Sequence, residues 1–474
     1  MKTLLVSTYE MNHQPLGLAA PAAALRARGH EVRCFDLAVE TPSPMRFTEP
    51  DLIGISIPMH TAARLGVALA RRVRRLNPKA HIAFYGLYAS PLSETLLRDG
   101  LADSVLGGEY EPALCGLADS LADALDLAAD GSTTRSTKSS MPGAVELRFD
   151  RQDYPLPDRA GLAPLSQYAS VQTAEDTRLA GYVEATRGCA HGCRHCPITP
   201  VYGGRLRLVQ PETVLGDIDQ LVALGAGHIT FGDPDFLNAV PHSMAIVDEL
   251  ARRHPAVTFD VTVKVEHLLE HAALLPRLRE AGCLFVTTAL ESCNDEVLGY
   301  LGKDHTRADM DAALALAEQN GLTVRPTWVA FTPWGSVEDF AEMLDFVEGH
   351  GLIGHVQPVQ YALRLLLPLG SPLVPLLEEQ GHLGPYDDEG LSYGWTNPDP
   401  RVDPLQAELA TIVEQAATDL TCDDSAQQHH DHDLATFARV KAAALAALGR
   451  GDEPVTVAPQ PETPAPRLTE DWFC

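Results

Sequence analysis

Short apolar runs alternate with stretches of helical period over the first quarter of the chain. Residues 3–8 (TLLVST), 31–36 (EVRCFD), 52–57 (LIGISI), 81–86 (HIAFYG) and 103–107 (DSVLG) have the length and the β-branched or aromatic content of buried strands. Between them, segments such as PAAALRARGH and AARLGVALARRVRRLN repeat apolar residues at helical intervals. The alternation predicts an α/β domain over residues 1–128, a Rossmann-like doubly wound parallel sheet. Ligands on such sheets sit beyond the carboxyl ends of the strands, which points to the loops at 9–17, 56–60, 85–89 and 107–111.

The pattern then breaks. AADGSTTRSTKSSMPG is small and polar, and DRQDYPLPDRAGLAPLSQYA is Pro-rich with anchoring aromatics, so residues 129–180 read as a flexible hinge followed by an ordered, extended connector. A second series starts at 181: GYVEATR, HITFGD, TFDVTVKVE, LFVTTALES, TVRPTWVAF and HVQPVQYAL are candidate strands, with helical stretches such as PETVLGDIDQLVALG and TRADMDAALALAEQNG between them. Six units in residues 181–371 predict a partial (βα)6 TIM-type barrel, since an eight-unit barrel runs to about 250 residues. Chemistry in such a barrel belongs at the C-terminal ends of the strands. Residues 372–474 lose the alternation and read as a mostly helical and extended C-terminal extension. DLATFARVKAAALAALGRG is its helix, and the Pro-rich DEPVTVAPQPETPAPRLTEDWFC is expected to be largely extended or disordered.

Composition narrows the function classes. Lys and Arg total 36 against 64 for Asp and Glu, a net charge of −28, which repels phosphate backbones and argues against a nucleic-acid partner. No apolar run approaches the ~20 residues of a membrane span, and MKTLLVSTYEMNHQPLG reads as a first strand and not as a signal peptide. The expected location is therefore cytoplasmic, where thiols stay reduced and clustered cysteines point to metal or catalysis. Of nine cysteines, three fall in ATRGCAHGCRHCPITPVYGG. Cys189, Cys193 and Cys196 are spaced C-x3-C-x2-C directly after the first barrel strand. Three thiolates on one loop can hold an iron-sulfur cluster with one iron left open. The other reading is zinc, with His191 or His195 as fourth ligand, in a non-catalytic zinc- or iron-sulfur-binding scaffold protein.

With this loop the sequence resembles the radical S-adenosylmethionine (SAM) superfamily. The resemblance implies a 4Fe-4S cluster on Cys189, Cys193 and Cys196, its open iron chelated by the amino and carboxylate groups of SAM. It also implies an electron donor such as a flavodoxin or ferredoxin and a small-molecule substrate. His195 stands where the family usually has an aromatic residue and would pack against adenine. GDPDF comes after the second strand, where the family places a glycine-containing stretch against the SAM amino group, which brings in Gly232 and Asp233. Lys264 and Glu266 at the end of the third strand, Glu291 and Ser292 at the end of the fourth, and Arg325 on the fifth are implied neighbours of SAM. For each of these, an ordinary polar rim or ion pair is the other reading. Tyr202 and Arg205 either close the site or brace the loop.

The front domain resembles the cobalamin-binding domains often fused before such barrels, through DLIGISIPMHTA, AFYGLYASPLSETLLRDG and ADSVLGGEYEPAL. The family's D-x-H-x-x-G motif is absent, since the residues around His13 are MNHQPLG, and its double glycine is reduced to Tyr85-Gly86. The resemblance thus leaves a cobalamin site or a degenerate domain that only docks on the barrel. The core RGCAHGCRHCP and the Pro-rich end RLTEDWFC resemble most specifically a radical SAM (seleno)protein group named for its CUAEP or CCAEP tail. That resemblance implies a chain continuing past Cys474 through a selenocysteine, against the reading of an ordinary terminal cysteine. It also implies a catalytic Cys474, acting on a thiophilic atom such as arsenic or selenium or as a redox or acceptor group. The implied reaction is radical modification, or methylation if cobalamin binds. The HHDHD run at 429–433 is expected to be a solvated linker before the last helix, with divalent-metal binding as the other reading. Cys34, Cys115, Cys283 and Cys293 are expected to be buried small hydrophobes, and Cys422 has no evident partner.

Overall fold

The computed structural model describes residues 1–129, 144–419 and 424–470. Strands β1 (Lys2–Ser7), β2 (Glu31–Asp36), β3 (Leu52–Ser56), β4 (His81–Tyr85), β5 (Ser104–Gly108) and β6 (Ala144–Arg148) form one parallel sheet in the order β2-β1-β3-β4-β5-β6. The period of two sorts its residues onto two cores. Leu4, Val6, Ile53, Ile55, Ile82, Phe84 and Val105 face helices α2 (His60–Leu76) and α3 (Ser93–Arg98). Their neighbours Leu5, Leu52, Ala83, Tyr85 and Leu106 face α1 (Leu16–Ala27) and α4 (Tyr110–Ala129). The sheet extends one strand further than its expected end near residue 128. AVELR, within the expected connector, pairs in parallel with β5.

The second unit has strands β7 (Ser170–Gln172), β8 (Thr177–Val183), β11 (His228–Phe231), β12 (Thr258–Thr262), β13 (Cys283–Glu291) and β14 (Thr323–Trp328), with the short pair β9 (Thr186–Gly188) and β10 (Leu206–Leu208) beside them. The parallel run β8-β11-β12-β13-β14 is the partial barrel, and β7 lies antiparallel to β8. Helices α5 (Ile198–Tyr202), α6 (Pro211–Ala223), α7 (Val240–Arg253), α8 (Val265–Glu270), α9 (Leu275–Glu280), α10 (Asp295–Leu301), α11 (Arg307–Gln319) and α12 (Val337–Gly349) connect these strands. The sixth predicted strand, HVQPVQYAL, is not a strand. It forms 3-10 turns, and only an isolated Phe331–Arg364 bridge continues the sheet there. Pro358 has no N–H to give to a ladder, which accounts for the loss.

Downstream lie α13 (Val374–Glu379), a hairpin of β15 (Leu383–Asp387) and β16 (Ser392–Trp395), and the packed pair α14 (Val402–Asp419) and α15 (Ala426–Ala447). The HHDHD run is not a solvated linker. Ser425 and Gln428 form a capping box that starts α15 ahead of it, and His429, His430 and Asp433 are buried. The Pro-rich tail is extended but docked. Glu348 accepts from Ala458 N and binds Lys441, Gln460 donates to Glu348 O, and β17 (Arg467–Leu468) pairs antiparallel with β7. Cys34, Cys115, Cys283 and Cys293 are buried. Cys422 and Cys474 lie outside the described residues. Among the described residues no helix is long and apolar enough to cross a membrane.

Candidate active site

The three-cysteine loop is a closed excursion from a small hairpin. β9 leads into it, β10 leads out, and Gly188 pairs with Leu206 across its neck. Gly188 has φ of +76°, and a Cβ there would overlap the Arg205 carbonyl and the Tyr202 ring. Inside the loop Thr199 Oγ1 donates to Cys193 O at 2.8 Å, and Arg194 N donates to Leu301 O at 2.8 Å, tying the loop to the end of α10. Asn238 Nδ2 lies 3.5 Å from Cys189 Sγ. Burial pushes the Cys196 thiol up to about 11. Burial also raises Cys193, while the cations Lys303 and Lys264 pull it back. All three cysteines are free. Burial penalises bare thiolates here, and cations or a bound metal are what relieve that penalty.

His191 and His195 both turn to carboxylates. His191 Nε2 is 3.1 Å from Asp235 Oδ2, and His195 Nε2 is 3.0 Å from Glu291 Oε1. Glu291 sits at a register shift that ends β13, with φ of +65°, and also binds Lys303 at 3.4 Å. Burial alone would raise its carboxyl, but Lys303 and His195 bring it down to about 2. Lys264 and Glu266 do not end a strand: Lys264 caps α8 and Glu266 lies in its first turn, 2.8 Å apart. Glu266 is held well below the usual carboxylate range against its burial by His305 and Lys264. His195 with Glu291, and Lys264 with Glu266, thus form two separate ion pairs, of which Glu291 and Lys264 act on Cys193. Ser292 is outside them, its hydroxyl accepting from Asn294 N at 3.1 Å.

The remaining predicted residues face a cavity of about 470 Å³ between the two sheets, within the ~300–1,000 Å³ of small-ligand sites. Gly232, Asp233 and Arg325 line it. Gly232 has no room for a side chain because the Tyr182 phenol packs against it. Asp233 accepts from Ala185 N at 2.9 Å and Thr186 Oγ1 at 2.6 Å, and burial raises it to about 7. Arg325 donates to Pro466 O at 3.0 Å, and burial lowers it to about 10. Thr230, Thr262, Thr287 and Thr327, one from each of β11, β12, β13 and β14, add hydroxyls on the barrel side. From the front domain come Glu10, His13, Ser56, Met59, Gly86, Gly108 and Tyr110, so all four predicted ligand loops reach this one space. Glu10 Oε1 is buried there without a hydrogen-bond partner, and desolvation, with Asp36 and Glu184 adding to it, pushes its carboxyl well up. An orphaned buried carboxyl fits a ligand that presents amide or hydroxyl donors.

Several residues of the site carried no signal in the sequence. Arg187, two positions before Cys189, reaches Glu111 at 2.8 Å, Glu184 at 3.1 Å and Glu109 at 3.5 Å, and Tyr154 Oη donates to Glu109 at 2.6 Å. Of the two residues that the sequence did single out beside the loop, Tyr202 lines the cavity, whereas Arg205 braces the loop against the Phe149 ring. Buried Arg159 forks onto Asp217 of α6 and also donates to Gln14. In the cavity lining, His13 Nε2 lies 2.8 Å from Glu470. Paired acids just after β5 and an arginine before the cysteines are the one hint available in retrospect.

Comparison with known proteins agrees with this geometry. Residues 183–347 match the radical SAM superfamily model and residues 2–118 the B12-binding domain model. The hopanoid C-3 methylase of Methylococcus capsulatus is 25% identical over 335 residues, 68% of this chain and 62% of that one. An uncharacterized methyltransferase of Pyrococcus horikoshii is 22% identical over 70% of this chain and 73% of its own length. The cobalamin-dependent SAM radical enzyme OxsB, solved with aqua-cobalamin bound, superimposes with a TM-score of 0.68 at 15% identity, covering 94% of this chain and 72% of that one. The chain is a homologue of radical SAM enzymes. The barrel match implies a 4Fe-4S cluster and SAM, and the front match supports cobalamin.

Proposed function

We propose that this homologue of the radical SAM enzymes, with a B12-binding domain ahead of its barrel, is a cobalamin-dependent methyltransferase. The observation that carries the reading is the shared cavity: the four front-domain ligand loops and the barrel interior open into one space beside the cysteine loop. Cys189, Cys193 and Cys196 would hold the cluster, with Lys303 and Lys264 offsetting thiolate charge. Gly232 and Asp233 would receive the SAM amino group, and Arg325 its carboxylate side. His195, Glu291, Lys264 and Glu266 position the loop. Glu10, whose Oε1 is buried without a partner, would meet the amide donors at the corrinoid's edge. When bound, the cluster supplies one electron to the SAM sulfonium and the corrinoid supplies a methyl group. A flavodoxin or ferredoxin fits as the electron source.

The finer reading is a soft acceptor, arsenic or selenium in a small molecule, handled with the Cys474 thiol of a CUAEP/CCAEP-type tail. What supports it is distance along the chain. Glu470 lines the cavity, and the few residues between it and Cys474 span at most ~3.5 Å each. Anaerobically reconstituted protein should show iron-sulfur absorbance, lost in the Cys189/Cys193/Cys196→Ala variant, retain hydroxocobalamin through gel filtration, and transfer a labelled SAM methyl group. Iron-sulfur absorbance and SAM cleavage with no retained corrinoid would sink the cobalamin assignment while sparing the radical SAM one. A Cys474→Ser variant with unchanged methyl transfer would remove the tail.

A further inference from the structure

His191, Asp235 and His267 place their ligand atoms within 4.8 Å of one another, and they come from three separate segments. His191 is at the apex of the cysteine loop, Asp235 lies just past β11, and His267 is on α8. Asp235 is fully buried, and its two oxygens divide their work. Oδ1 accepts from Leu237 N and caps the short helix there. Oδ2 faces both imidazoles, 3.1 Å from His191 Nε2 and 2.7 Å from His267 Nδ1. His271 lies one helical turn beyond His267, with ring centroids 5.4 Å apart, and Glu270 completes a second triplet with these two.

We infer that His191, Asp235 and His267 form a divalent-metal site, suited to zinc, that anchors the cysteine loop to α8. Zinc takes imidazole nitrogen and carboxylate oxygen at ~2.0–2.2 Å, so tetrahedral ligand atoms sit about 3.3 Å apart. His191 Nε2 at 3.1 Å from Asp235 Oδ2 is near that value, His267 Nδ1 at 2.7 Å would move out by about half an ångström, and all three ligand atoms lie within 4.8 Å of one another. With no thiolate among the donors, the set differs from the cysteine cluster in the metal it prefers. His271 or a water supplies the fourth position. Two imidazoles sharing one carboxylate oxygen is also the arrangement of a bare ion pair, and the metal replaces the two protons that such a pair needs. The site lies outside the cavity lining, so its role is to hold the segment between Cys189 and Cys193 in register.

Full-length protein with its cluster reconstituted, then dialysed against zinc, should carry one equivalent of zinc beyond the cluster iron. Zinc-edge X-ray absorption should report only nitrogen or oxygen neighbours, near ~2.0 Å. Asp235→Asn keeps a competent helix cap, and it should cut zinc occupancy at least about tenfold, as should His267→Gln. A sulfur shell at ~2.3 Å, no bound zinc, or unchanged occupancy in both variants would each overturn the site. Should either variant fail to fold, His191→Gln on the half-exposed loop replaces it, and zinc retained there overturns the site equally.

Discussion

Gly188 turns the chain from β9 into the cysteine loop with φ of +76°, against the Arg205 carbonyl. A side chain there meets two costs: the left-handed conformation, ~1–2 kcal/mol for an L-residue, and a steric overlap that only movement of β10 can relieve. Gly188→Ala should therefore lose most of its iron after reconstitution and melt earlier, and wild-type iron content would contradict that. Asp233 offers a test in pH. Its carboxyl is raised by burial from 3.8 to about 7, so the protonated form is the better one to bury. Stability is then fullest below the unfolded value near pH 4 and declines as pH rises towards 7, by about 4 kcal/mol at ~1.4 kcal/mol per unit. Asp233→Asn should flatten that decline in denaturant titrations from pH 4.5 to 7.5; parallel curves for the two proteins would mean Asp233 does not titrate there. The cysteines were legible because three thiols in one loop are rare by chance. Glu10 and Glu184 were not, because nothing local distinguishes a carboxylate that will lose its solvent from one that keeps it.

At the scale of elements, legibility followed periodicity. Strands β1 to β5 separate cleanly in sequence because each sends alternate residues into two different cores, and β11 to β14 alternate between the barrel core and the cavity. Failures occurred where local chemistry or a distant partner decides. Pro358 removes a donor from the sixth barrel segment, which no apolar pattern offsets. β6 and β17 are edge strands of five and two residues whose partners, β5 and β7, lie far from them along the chain. The hinge expected between the domains falls at residues outside the described ones, and the connector expected after it begins with strand β6. The ion cluster of Arg187 with Glu109, Glu111 and Glu184 joins β9 to the loop after β5. A buried ion pair adds little net stability over an apolar replacement, but removing one partner leaves the others desolvated and costs ~3–5 kcal/mol. Arg187→Ala should lower stability by that order, Glu111→Gln by less, and a thermal melt of Arg187→Ala matching wild type would show the acids to be solvated.

On the scale of the whole molecule, the cavity is shaped by three parts, because the tail returns from α15 across the barrel to the front domain. Leu468 and Glu470 line the cavity, Pro466 O receives Arg325, Asn12 Nδ2 donates to Thr469 O, and Glu470 meets His13. Burying the leucine contributes ~2 kcal/mol and the hydrogen bonds about 1 kcal/mol each, which is enough to hold the strap closed most of the time. It is also a small enough total for a ligand to displace. A chain ending at residue 462 loses all of these contacts and leaves Arg325 buried without its carbonyl. Glu470→Gln keeps the strap and its strand pairing and removes the carboxylate charge that acts on His13, Tyr182 and Arg325. If the strap is a wall of the corrinoid site, truncation should abolish retention of hydroxocobalamin through gel filtration, while Glu470→Gln should retain it. Retention by both proteins would mean that the two sheets alone enclose the ligand. Loss in both would assign the holding contact to the Glu470 carboxylate itself, at the one point where the last described residue of the chain touches the first ligand loop.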